Sequence, residues 1–217
     1  LEEMFYPEAE RFNGNRQVDT RLLKYSYFFV DYKQAAKAKY NYETGKYEGK
    51  VTDLKGVTSD VVDRSSFIMH DVVNIYPDTL CWIRDFTYSF NDPWASLYFW
   101  HPAYDDYPVV GVSWEQAKAF CHWRTQYLNS SLSLRGQKVM EYRLPTEAEW
   151  EVAARGKQMA GRFPWKSNKT STDKGCYYAN FKPGKGGYSN DGNIITSKVA
   201  SYPPNEYGLY DMAGNDA

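Results

Sequence analysis

Residues 107–129 read YPVVGVSWEQAKAFCHWRTQYLN and residues 142–166 read YRLPTEAEWEVAARGKQMAGRFPWK. Ser113 followed three residues later by Gln116 forms a capping box, which starts a helix predicted over Trp114 to Leu128. Ala117, Phe120, Cys121, Trp123 and Leu128 recur at three-to-four spacing and are expected to face inward, with Lys118 and Arg124 toward solvent. Thr146 and Glu149 form a second box after Arg143-Leu144-Pro145, predicting a helix from Glu147 to Arg155 that Gly156 stops. The run PVVGVS before the first helix reads as a short buried strand.

Around this centre the chain is aromatic and nearly neutral. Its 217 residues include 20 Tyr and 7 Trp, with 26 basic and 27 acidic side chains interspersed. That length can bury a sizeable core, and a near-zero net charge supplies no general attraction to nucleic acid or anionic lipid. Nucleic acid is therefore not an expected partner. No apolar run reaches the roughly 18–20 residues needed to span a bilayer as a helix. Tyr and Trp carry a polar tip that needs a partner when buried, which favours a loop-rich fold held by aromatic clusters and side-chain hydrogen bonds.

Upstream, residues 1–22 are polar and broken by Pro7 and Gly14, and read as an extended arm. Leu23 to Tyr32 reads as a strand with Leu23, Tyr25, Tyr27 and Phe29 on one face. Lys33 to Tyr40 reads as two helical turns, and YNYETGKYEGK as a hairpin. Val51 to Phe67 reads as a surface excursion. Residues 68–90 read as two strands about a Tyr76-Pro77-Asp78 turn. The loop NDPWASLYFWHPAYDDYP carries Trp94, Tyr98, Phe99, Trp100, Tyr104 and Tyr107. These rings either fill a core or form a sugar-binding platform. After Gly156 the density of Gly, Asn, Pro and Ser predicts a coil-dominated lobe with short strands.

Chemistry-bearing residues are sparse. Cys81, Cys121 and Cys176 are too far apart for a CxxC pair or a local zinc set, and Cys121 within its helix reads as a small buried hydrophobe. His70, His101 and His122 have no triad-type or metal-type spacing around them. Glu147, Glu149 and Glu151 resemble a carboxylate cluster, yet a first helical turn favours acidic side chains for capping and dipole reasons alone. No catalytic residue and no organic cofactor site is expected.

The motifs VVGVSW, RLPTEAEWE, FPW and GLYDMAGN, in this order and spacing, resemble the formylglycine-generating enzyme (sulfatase-modifying factor) family. The resemblance covers about half of the chain. It implies an α+β fold, distantly like C-type lectins, low in regular secondary structure, with two short helices packed on small sheets. One domain overall is expected, with residues 1–106 as an insertion and N-terminal part and residues 107–217 as the family core. The family's oxidase activity uses a copper-holding cysteine pair near the end of the domain, two soft thiolates suiting Cu(I). None of Cys81, Cys121 and Cys176 matches that position. The chain is therefore expected to be non-catalytic, without copper, and an internal portion of a longer protein.

The same resemblance implies a structural calcium at Asn180, Phe181, Asp191 and Asn193, held by side-chain and main-chain oxygens. The other reading of Asp191-Gly192-Asn193 is a plain turn. Two departures bear on the carry-over. Asp216-Ala217 replace the family's continuation after Asn215, so a second calcium site there is not completed, and Lys166 stands where the family often has Gly. The pieces YPDTLCWIRDFTYSFNDPW and FWHPAYDDYPVVGVSW further resemble the GldK/PorK family of type IX secretion and gliding-motility lipoproteins, with the GldJ lipoproteins as the nearest competitor. That resemblance implies a protein-transport role in a ring at the periplasmic face of the outer membrane. Its partners would be a GldN/PorN-like protein, copies of itself and a lipid anchor outside this fragment. An active oxidase and a glycan-binding module stay open as alternatives.

Overall fold

In the computed structural model, which describes residues 2–85, 87–89, 92–133, 136–158, 161–181, 187 and 189–215, the period-two pattern after Leu23 becomes strand β1, Lys24–Val30. It pairs antiparallel with β6, Ile68–Asn74, in a register that sets Tyr27 opposite Asp71 and Phe29 opposite Met69. Tyr25, Tyr27 and Phe29 share the covered face as expected, and Tyr27 is buried. Between these strands lie α1 (Tyr32–Ala35), the hairpin β2–β3 (Lys39–Asn41 and Lys46–Glu48) and the hairpin β4–β5 (Lys50–Thr52 and Thr58–Asp60). Together with the arm and residues 113–143 they form one of two compact units, Leu1–Tyr76 with Ser113–Arg143.

Three expectations change within this unit. The arm is not extended: it folds through short 3-10 turns, bridges Phe5 to Val18, and buries Asp19, whose carboxylate takes the Arg21 guanidinium at 2.7 and 2.8 Å. The helix after Tyr32 is one turn, started by Asp31, whose Oδ1 accepts the amides of Lys33 and Gln34. The segment 51–67 is no mere surface excursion, because Val51, Val61 and Phe67 join Met69 to form a core. Scattered valines carry no period, so the pattern could not show that they converge.

Helix α4, Trp114–Ser133, opens on the expected box, with the Ser113 amide donating to Gln116 Oε1 at 2.8 Å. It runs beyond Leu128 and lies on β1 and β6. Its inward stripe is only partly the one expected, with Ala117, Cys121 and Leu128 half-buried. Ala119 and Thr125 are buried, whereas Phe120 is 60 % and Trp123 41 % exposed. Lys118, expected outside, sets its ammonium 4.1 Å from the Phe29 ring centroid. Small residues let the helix approach the β1–β6 ribbon closely, and hydrophobicity alone picks the large ones.

The second unit comprises Pro77–Val112 with Leu144–Ala217. The two units therefore interleave along the chain, and neither ends at residue 106. The expected second strand after the Pro77 turn is helix α2, Cys81–Asp85, followed by α3, Pro93–Leu97, with Asp92 as N-cap and Pro at its start. Phe86 and Phe90 of that predicted strand, and Asn91 of the aromatic loop, lie outside the described residues. A buried aromatic cluster of Trp82, Tyr98 and Val110 forms here, with Trp94, Phe99, Tyr104 and Tyr107 against it. The aromatic loop thus fills a core, apart from Trp100, which is exposed.

PVVGVS is not a strand. Val110 is buried, but Gly111 has φ 71 and accepts the Asp78 amide at 2.8 Å, and a Cβ there would collide with the Asp78 carbonyl. Helix α5, Glu147–Arg155, has the predicted bounds and box, and Gly156 follows it. The rest of the unit is coil, and among its described residues only an isolated bridge, Ser171 to Tyr177, has strand character. The chain is mixed α+β with small sheets, as expected; α5 packs on coil, and α4 is long.

Candidate functional site

In a coil lobe, backbone polar groups that no sheet satisfies must find side chains. The second unit gathers such side chains at the residues expected to hold an ion. The Asp191 carboxylate accepts the Phe181 amide at 2.7 Å through one oxygen and the Asn193 amide at 3.1 Å through the other. Asn193 Nδ2 donates to the Tyr202 hydroxyl at 3.1 Å, and burial beside Asp191 raises the Tyr202 pKa. Asn180 Nδ2 donates to the Ile195 carbonyl at 2.9 Å and to Asn215 Oδ1 at 3.2 Å. Phe181, Asp191 and Asn193 therefore share one hydrogen-bonded network, and Asn180, next to Phe181 in sequence, belongs to a second one.

The second network extends to residues that spacing did not single out. Asn215 Oδ1 also accepts the Ser197 amide at 2.7 Å, and the Asn215 amide donates to the Asn180 carbonyl at 2.9 Å. Ser197 and Thr196 are buried. Gly214, at φ 77, lies so close to the Asn180 carbonyl that any Cβ would collide with it. Asn215 thus belongs with Asn180 and closes the same loops; the signal for it was the GLYDMAGN motif. Asp216 and Ala217, which bear on a second ion site, lie outside the described residues.

The oxygens offered here are carboxylate, amide and carbonyl, the donor chemistry of a hard cation such as calcium. Asp191 is the single carboxylate of the four, and both its oxygens already accept backbone amides, so protein groups close these loops on their own. Among the described residues no three His, Cys, Asp or Glu side chains gather to hold a metal.

The remaining candidates are dispersed. Cys81 is half-buried beside Trp82, Cys121 is half-buried on α4, Cys176 is exposed, and none of the three is in a disulfide. His122 Nδ1 meets the Tyr25 hydroxyl at 3.2 Å, His70 Nε2 meets Ser26 Oγ at 2.7 Å, and His101 Nδ1 accepts the Ala103 amide. Glu149 accepts the Thr146 amide at 2.8 Å, and Glu151 pairs with Arg155 at the same distance. These contacts are structural. Next to the asparagine cluster a cleft of about 300 Å³ opens, lined among others by Trp165, Tyr178, Tyr202, Asn205, Glu206 and Asp211.

Set against known proteins, residues 77–216 match the family described as the sulfatase-modifying factor enzyme 1-like domain. The match begins 30 residues before the expected core boundary at 107. The chain is 42 % identical over 113 residues to the formylglycine-generating enzyme of Mus musculus, covering 51 % of this chain and 26 % of that protein. It is 40 % identical over 111 residues to the inactive C-alpha-formylglycine-generating enzyme 2 of Bos taurus, covering 51 % and 31 %. It is also 37 % identical over 114 residues to the serine/threonine-protein kinase pkn1 of Chlamydia pneumoniae, covering 52 % and 13 %. The chain thus matches at most a third of each relative's length.

Proposed function

Since the chain belongs to the sulfatase-modifying factor enzyme 1-like family, we propose that the whole protein uses this fold as a non-catalytic structural part of a type IX secretion or gliding-motility machine. The observation that carries the reading is what is added to the family domain. Residues 1–76 precede the matched span and fold with α4 into a unit of their own. The added β1–β6 ribbon presents apolar surface its core does not use, Phe28, Val30, Ile68 and Val72, and α4 within the matched span adds Phe120, Trp123 and Tyr127. Exposed aromatic surface of this extent suits contact with neighbouring subunits. A relative named inactive supports a fold used without oxidation.

The finer assignment rests on the resemblance of residues 76–114 to the GldK/PorK lipoproteins. In it, the protein sits at the periplasmic face of the outer membrane through a lipid anchor and forms a ring with a GldN/PorN-like partner and copies of itself. Asn180, Phe181, Asp191 and Asn193 would hold a structural calcium, which would crosslink the coil lobe. Electron microscopy of the whole protein with that partner should reveal a ring. A stable monomer with no affinity for the partner sinks the proposal.

The 42 % identity to the mouse enzyme favours a second reading, copper-dependent oxidation of a substrate cysteine to formylglycine. An oxygen- and copper-dependent assay on a cysteine peptide separates the two. Conversion would establish the enzyme; the scaffold reading expects none.

A further inference from the structure

Some aromatic rings here fill cores and many stay at the surface, among the latter Tyr40 and Tyr42 on the first unit. Tyr40 and Tyr47 face each other across β2–β3, with centroids 5.0 Å apart, and Tyr42 in the following turn packs edge-on to Tyr40 at 5.1 Å. Cross-strand stabilisation accounts for the Tyr40–Tyr47 pair. It does not account for Tyr42, which is 90 % exposed. Arg64 approaches the same rings from the 3-10 turn Arg64–Phe67, its Nε donating to the Tyr47 hydroxyl at 2.9 Å.

That bond holds the Nε side of the guanidinium toward the rings, and no carboxylate pairs with Arg64 among the described ion pairs. Its two terminal nitrogens remain as donors in a fork. Asp63 beside it is held below the usual carboxylate range by the Ser65 hydroxyl, at 2.5 Å, and stays ionised at neutral pH. Tyr40, Tyr42, Tyr47, Asp63, Arg64 and Ser65 line one open cleft.

Three features converge: flat ring faces, a pre-oriented donor fork and an adjacent acceptor carboxylate. Their charges cancel, so a polyanion gains little here. A ring with an apolar C–H face and hydroxyls at its rim satisfies all three. We propose that this cleft binds a neutral pyranose glycan, its C–H face on Tyr42, Arg64 donating to sugar oxygens and Asp63 accepting from sugar hydroxyls.

Titration calorimetry of the whole protein with hexaoses of glucose, mannose and N-acetylglucosamine, beside a hexauronate, tests this. At least one neutral hexaose should bind with Kd of the order of millimolar or tighter. Arg64→Gln should weaken it about tenfold through the lost charged donors, and Tyr42→Ala about fivefold through the lost ring face. Tyr32→Ala, at another exposed tyrosine outside the cleft, should change nothing. Tyrosine-ring NMR shifts on titration of the unaltered protein give a readout free of any folding defect, and those of Tyr40 and Tyr42 should move. Silence toward every neutral hexaose, undiminished affinity in both variants, or binding of the hexauronate alone would each overturn the proposal.

Discussion

The two units of this chain solve the backbone hydrogen-bond problem differently. In the first, the six strands of the described residues pair in three ribbons, and side chains such as Asp31 and Gln34 serve the turns and edges between them. In the second, coil dominates, and side chains of Asn, Asp, Ser and Tyr take over the work of a sheet. Asn205 illustrates it: Nδ2 donates to the Ala153 and Ala154 carbonyls at the end of α5, while Oδ1 accepts the amides of Tyr207 and Leu209. Tyr98 is another case, its hydroxyl meeting the Pro108 carbonyl at 2.6 Å and Thr196 at 2.7 Å within the aromatic core. A ribbon tolerates change in any one side chain, whereas a side-chain network does not.

The comparison can be broken by substitution. Tyr98→Ala should cost about 3–5 kcal/mol, since it removes a ring from a packed cluster, and Tyr98→Phe should still cost about 1–2 kcal/mol for the orphaned partners. Thermal or denaturant unfolding reads both, and an unchanged midpoint for Tyr98→Phe would show that the second unit does not depend on its polar network. Asn205→Ala should follow at about 2–3 kcal/mol, with faster amide exchange at the end of α5.

The first unit should respond to pH instead. Burial, then the Asp71 carboxylate it hydrogen-bonds, pushes the Tyr27 hydroxyl up to about 12 from an ordinary 10.0. The neutral form is thus favoured in the fold. Its contribution is fully present below pH 10.0 and is lost as pH rises toward about 12. Amide exchange on β1 and β6 should accelerate across that window, and Tyr27→Phe should flatten the dependence. The smallest effect on stability is expected from Phe120→Ser with Trp123→Ser, about 0.5 kcal/mol or less, because both rings are exposed. Any loss of assembly in that variant then reports on the surface and not on folding.

Local signals were legible wherever one short stretch contained both partners. The capping boxes at Ser113 and Thr146 and the β2–β3 hairpin formed as read, because their hydrogen bonds close within a few residues, and the face of β1 followed from its alternation although its partner strand is remote. Readings failed where a distant partner decided. PVVGVS looked like a strand, yet Asp78 pairs with Gly111 and leaves no ribbon to join. Asp191 was expected as a calcium ligand, and the structure shows its carboxylate accepting the amides of Phe181 and Asn193. The Asn180–Asn215 bond, which brings in Ser197, spans 35 residues and has no local signature.

By itself the sequence determined the family, the α+β class and the ends of α5, because motif order and capping chemistry are properties of adjacent residues. The tertiary structure alone decided which face of α4 is buried, which aromatics fill a core, and how the asparagine loops close. Those outcomes depend on which side chains fit against a surface assembled from remote segments, and neither hydrophobicity nor periodicity encodes that fit.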